Sequence, residues 1–158
     1  MISLSPPCSH ELVSLLSTHI KEAATMIRDR VKEYYIDRNM NCAEAVLHAA
    51  NDEYNLGIAS DAFKLIGGFG GGMGCGHVCG ALSGGIAAIG QKYIEIEAHK
   101  TKDLKEICTG FVQDFNDLFG SENCEELKAK YKKDDVRCLD LVVQAADALE
   151  KVMARSKS

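Results

Sequence analysis

Between Lys64 and Lys92 the chain carries no charged side chain, and eleven of its fourteen glycines fall in that interval. Length and apolarity alone would let the interval cross a bilayer. Its first part forbids this, because residues 67–76 are too rich in glycine to hold a stable helix in lipid, where every backbone group must be bonded internally. The interval therefore predicts a buried glycine-rich loop leading into a buried helix. A chain of 158 residues, of which 46% are hydrophobic, is long and apolar enough to bury such a segment in its own core.

The rest of the chain reads as helix. Both prolines, Pro6 and Pro7, stand at the extreme N-terminus, and no alternating run of strand length follows them. Ile20, Ala24, Ile27, Val31 and Tyr34 repeat at helical spacing. Asn41 suits an N-cap for a helix from Cys42 to about Tyr54, with Gly57 at its stop. Ser60 suits the cap of a short helix over 61–66. A helix over about 77–98 presents Cys79, Leu82, Ile86, Ile89 and Tyr93 on one face. Its other face carries Gly80, Ala81, Gly84, Ala87 and Ala88, small enough for a second helix to approach closely, within the chain or across a homodimer. Thr101 then caps a helix with Leu104, Cys108, Phe111, Phe115 and Leu118 on one side, ended by Gly120. Ser121 caps a short helix containing Cys124 and Leu127. Asp134 or Asp135 opens a last helix with Leu139, Val143, Ala146, Leu149 and Met153 inward. The fold class is all-α: a compact bundle of five to seven helices. An N-terminal extension, residues 1–20, with partial helix at most, precedes a single helical domain, residues 21–158.

Seven cysteines form the chemical signature. Residues 1–20 have no early Lys or Arg and no continuous apolar core, so they do not read as a secretory signal, and the expected compartment is the reducing cytoplasm. There, many cysteines indicate redox or metal chemistry rather than structural bridges. Four of them, Cys42, Cys79, Cys124 and Cys138, fall at or just past a predicted helix start. Helix N-termini expose unpaired amides and the positive end of the dipole, which stabilises a thiolate and lowers its pKa. The thiolate is both the nucleophile of disulfide exchange and the form that binds metal. Cys108, on an apolar stripe, reads as a core thiol, and Cys8 as incidental.

Competing motifs fail. The loop Gly70-Gly71-Gly72-Met73-Gly74-Cys75-Gly76 follows no strand and lacks both the Walker lysine and a G-x-G-x-x-G register, so it does not read as a phosphate cradle. Cys75 and Cys79 are spaced C-x-x-x-C, unlike common zinc or thioredoxin-like pairs. A net charge of −5 speaks against a nucleic-acid partner, and Lys128, Lys130, Lys132 and Lys133 read as a solvated helix end.

Taken together, Asn41-Cys42-Ala43-Glu44-Ala45-Val46-Leu47, the loop Gly70–Gly74, Cys79-Gly80-Ala81-Leu82-Ser83-Gly84, Phe119-Gly120-Ser121, Cys124-Glu125-Glu126-Leu127 and Cys138 resemble the C-GCAxxG-C-C family. The resemblance covers roughly residues 24–150. It places Cys42, Cys79, Cys124 and Cys138 at the four family cysteines and leaves Cys8, Cys75 and Cys108 as extras. The family name implies redox activity. Some members are described as carrying selenocysteine, and a similar domain in split-Soret cytochromes implies that an iron–sulfur cluster is compatible with the scaffold.

Three readings stand at this stage. The first is a thiol–disulfide oxidoreductase that needs no cofactor and acts on a redox partner protein or a small thiol or disulfide, with Cys79, which glycines surround, as nucleophile ahead of Cys42. The second is a Cys₄ site in which Cys42, Cys79, Cys124 and Cys138 ligate an iron–sulfur cluster or zinc. The third is a module in which the cysteines only pack. None calls for nucleic acid or for membrane insertion.

Overall fold

The computed structural model describes residues 26–154. The expected extension over 1–20, together with Ile20, Ala24 and Cys8, lies outside them. Among the described residues the chain forms seven α-helices and no strand. No helix there is long and apolar enough to cross a membrane.

The helix that organises the rest is α2, Cys42–Tyr54, and its start follows from two side chains. Asn41 Oδ1 accepts from the amides of Ala43 and Glu44, at 3.0 and 3.1 Å, and Glu44 Oε2 accepts from the Asn41 amide at 3.0 Å. This reciprocal capping box satisfies the first-turn donors. Asn41 Nδ2 also donates to the Gly67 carbonyl at 2.9 Å, tying the helix start to the entry of the glycine segment. At its far end α2 stops on left-handed Asn55 rather than on Gly57.

Against α2 lies α4, Gly80–Tyr93. The approach is as close as backbones allow. A Cβ added at Gly84 would stand 2.5 Å from the Ala43 carbonyl oxygen, and one added at Gly80 would stand 2.5 Å from Cys42 Sγ. On its other side α4 meets α5, Leu104–Phe119, where Gly85 leaves room for the Phe111 ring. Ahead of α2, α1 spans Ile27–Lys32 and continues as a wider π turn, Glu33–Asp37, which buries Tyr34 and Tyr35. A 3₁₀ turn, Ser60–Phe63, leads into the short α3, Lys64–Gly67. The last two helices are α6, Cys124–Tyr131, and α7, Leu139–Ala154. α7 packs on α1, α4 and α5 and closes the core.

Several expectations are corrected. The glycine segment is not a buried loop: Gly68, Met73, Gly74, Cys75, His77 and Val78 are exposed and only Gly72 is buried. Gly71, Gly72, Met73, Gly74 and Gly76 all take positive φ, a tight backbone path that glycine adopts readily. The helix expected over 77–98 occupies only Gly80–Tyr93. α5 starts after left-handed Asp103, not at Thr101, and buries Phe119, which follows Phe111 and Phe115 at intervals of four, while Leu118 is 45% exposed. α6 is capped by Asn123, not Ser121. Asp134 and Asp135 belong to a turn that Lys133 and Arg137 close, so α7 begins at Leu139. It buries Leu141 and Val142 as well as Ala146, Leu149 and Met153, with Leu139 and Val143 only half-buried.

The α2–α4 contact separates two glycines of one helix. Gly84→Ala forces the Cβ into backbone and is expected to destabilise the protein by about 1–3 kcal/mol. At Gly90 an added Cβ meets only Ile94 Cδ1 at 3.6 Å, so Gly90→Ala is expected to stabilise by about 0.4–1 kcal/mol. Urea denaturation midpoints of the two variants check both signs.

Candidate functional site

Four helix starts meet at one place. Cys42 and Cys124 are the first residues of α2 and α6, and Cys79 and Cys138 immediately precede α4 and α7. All four are free thiols lining a single cavity of about 180 Å³.

Two clamps hold them there. The first joins the starts of α4 and α6. Val78 and Asn123 form an isolated antiparallel bridge, the Cys79 amide donates to the Glu122 carbonyl at 2.8 Å, and the Cys124 amide donates to the His77 carbonyl at 2.5 Å. Gly72 makes room beside this clamp, since a Cβ there would stand 2.5 Å from Cys124 Cβ. The second clamp joins the approach to α7 with the approach to α2. The Arg137 guanidinium lies 4.0 Å over the Tyr35 ring and donates to the carbonyls of Tyr35 and, at 3.2 Å, Met40. The Cys138 amide donates to the Tyr35 hydroxyl at 3.2 Å. One clamp sets Cys79 beside Cys124, and the other draws Cys138 toward the cysteine that opens α2.

Burial differs within the set. Cys79 and Cys124 are buried, whereas Cys42 and Cys138 are half-buried. Burial pushes the Cys79 thiol up to about 12, and the neighbouring Cys42 and Cys124 sulfurs add to the rise, against the amides of Ala81 and Leu82. Burial also raises the Cys124 and Cys138 thiols, and here Lys128 opposes the rise at both and Lys132 opposes it at Cys138. The expectation that helix starts depress these thiol pKa values is therefore overturned at three positions: desolvation outweighs the favourable amides.

Lys128, Lys132 and Arg137 also line the cavity, with Tyr35, Leu127 and Val142 among the walls. Sequence reasoning placed Lys128 and Lys132 on a solvated helix end and passed over Tyr35 and Arg137. Lys128 lies in the last turn of α6, whereas Lys132 follows the helix in extended backbone and reaches the cavity only through the fold. Tyr35 and Arg137 had no signal, being 102 residues apart. Cys75 is exposed on the glycine loop, where its Sγ donates to the Gly72 carbonyl at 3.5 Å. Cys108 is half-buried on α5, and neither it nor Cys75 lines the cavity.

In donor chemistry, four thiols suit a Cys₄ metal or cluster site. In arrangement they do not: no group of three or more His, Cys, Asp or Glu side chains among the described residues is placed to hold a metal ion. The four sulfurs line the cavity wall.

The architecture defines a class: an all-α protein with four thiols delivered by four helix starts to one cavity. The family described as "Putative redox-active protein (C_GCAxxG_C_C)" matches residues 40–152, and the chain belongs to it. No curated protein and no solved structure matches the chain.

The raised Cys79 thiol has a consequence for stability. In the unfolded chain a cysteine ionises near about 8.5. The folded protein keeps this proton up to about 12, so across that window it holds a proton the unfolded chain has lost. Stability from Cys79 is thus complete below about 8.5 and is lost as pH rises from there towards about 12. Urea midpoints measured from pH 8 to 10.5 are expected to fall less steeply in Cys79→Ala than in the unsubstituted protein.

Proposed function

We propose that the protein is a thiol–disulfide oxidoreductase whose working thiols are Cys42, Cys79, Cys124 and Cys138. The observation that carries this reading is that all four line one cavity as free thiols. Cys42 is the attacking thiol. It is half-buried where Cys79 and Cys124 are buried, and it opens a helix whose cap leaves its sulfur beside Gly80. This reading moves the nucleophile away from Cys79, which is 4% exposed.

The chemistry is two sequential exchanges. The Cys42 thiolate attacks one sulfur of a substrate disulfide, that S–S bond breaks, and one substrate thiolate leaves, taking up a proton. A second cavity cysteine, deprotonated, then attacks Cys42 Sγ in the mixed disulfide and expels the other substrate thiolate. Two cysteine thiols are oxidised to one protein disulfide and one substrate disulfide is reduced to two thiols. A partner dithiol returns the protein to its reduced form by the reverse exchange.

Protein purified without oxygen tests the proposal through its visible spectrum, its iron and zinc content and its thiol count. The expected protein is colourless and metal-free, loses thiols two at a time on mild oxidation and regains them with a dithiol. Cys42→Ser is expected to bring turnover of a small disulfide to background, and Cys75→Ser to leave it unchanged. Stoichiometric iron with broad visible bands, stoichiometric zinc, or full turnover in a folded Cys42→Ser protein would overturn it.

A further inference from the structure

The cavity is electrostatically one-sided. Three cations, Lys128, Lys132 and Arg137, line it and no carboxylate does, in a chain whose net charge is −5. Arg137 is committed to Tyr35 and Met40 and acts as wall. Lys128 and Lys132 are exposed, and neither has an ion-pair partner among the described residues, whereas the adjacent Lys133 pairs with Asp140 at 2.5 Å. A basic residue in the last turn of α6 is accounted for by the helix dipole. That does not account for Lys132, which follows the helix in extended backbone and lines the same cavity as Lys128. The Lys128 ammonium is also placed: its Nζ lies 3.7 Å from where a Cβ on Gly71 would be, at the edge of the glycine loop and over the cavity. Its charge is felt at both Cys124 and Cys138.

Size narrows the ligand. A cavity of about 180 Å³ is close to the ~150 Å³ that takes a benzene ring, so it admits one arm of a small molecule and no folded segment. With apolar Leu127, Leu141 and Val142 as walls, the arm that enters is compact and the charge it carries stays at the mouth.

From this juxtaposition we infer that the substrate is a small disulfide bearing carboxylates, drawn to the thiols and oriented by Lys128 and Lys132. The inference rests on the thiol-exchange reading and names its substrate class. Lys128 and Lys132 are positioning residues: they hold the carboxylate of one substrate half while Cys42 Sγ attacks the nearer sulfur, so that the departing half leaves as a thiolate through a positive mouth. The exchange is the one balanced above, with two cysteine thiols oxidised and the carboxylate-bearing disulfide reduced to two thiols.

The test uses two small aromatic disulfides of opposite character on the full chain carrying Cys75→Ser. One is dianionic 5,5′-dithiobis(2-nitrobenzoate) and the other is neutral 4,4′-dithiodipyridine. The quantity read is the rate of the phase that disappears in the additional Cys42→Ser variant. Lys128→Gln with Lys132→Gln is expected to slow the dianionic probe by about tenfold or more at low salt and the neutral probe by less than about twofold. Added salt is expected to reproduce the loss in the unsubstituted protein, and Lys128→Arg with Lys132→Arg to restore the rate. Equal slowing of both probes, or none with the dianionic one, would overturn the role of the lysines while leaving thiol exchange in place. If neither probe shows a Cys42-dependent phase, the thiol-exchange reading falls and the substrate class falls with it.

Discussion

The structure depends on how closely α4 approaches the first turn of α2. Gly80 and Gly84 present bare backbone to Cys42 and Ala43, and nothing larger fits at either place. Helix pairs ordinarily meet through interdigitated side chains with their axes 8–10 Å apart. Here one helix offers no side chains at the contact, so the start of α2 is pressed directly against the start of α4. That single approach fixes the Cys42 sulfur relative to Cys79. It also lets the glycine segment fold over the top, where the Phe69 carbonyl lies close against Gly80.

The remaining sulfurs are brought in by hydrogen bonds rather than by packing. The bridge between Val78 and Asn123 commits the amides of Cys79 and Cys124 to carbonyl partners, and the Tyr35 hydroxyl takes up the amide of Cys138. Three helix starts therefore hold their cysteines through the cysteines' own amides. Desolvation raises the three clamped thiols; the amides of Ala81 and Leu82 act against it at Cys79, Lys128 at Cys124, and Lys128 and Lys132 at Cys138.

How far this was legible in the sequence depended on the range of the interaction. The start of α2 was readable because Asn41 and Glu44 form a cap within four residues. Cys124 was placed at a helix start although its cap is Asn123: Ser121 belongs to the same local turn, its hydroxyl accepting from the Asn123 amide at 3.0 Å. The small face of α4 was visible in Gly80, Ala81 and Gly84. The loop was misplaced because its apolar, uncharged composition suggested burial, while most of it lies at the surface. The second clamp was illegible. Tyr35 and Arg137 carry no local pattern, and their meeting exists only once the chain has closed over about a hundred residues. The sense of the cavity's charge was missed for the same reason, since facing is a property of the fold and not of the lysine cluster.

That separation along the chain has a consequence for how the site comes into being. During synthesis the N-terminal helices emerge first. Cys42, Cys79 and Cys124 can therefore be present on α2, α4 and α6 while Arg137 and Cys138 have not yet left the ribosome. Until α7 docks, Tyr35 lacks its cation, the core over α1 and α4 is open, and the thiols already made have no common chamber. The reactive centre is in this sense the closing act of folding: a nascent or truncated chain carries the cysteines without the enclosure that governs which of them reacts.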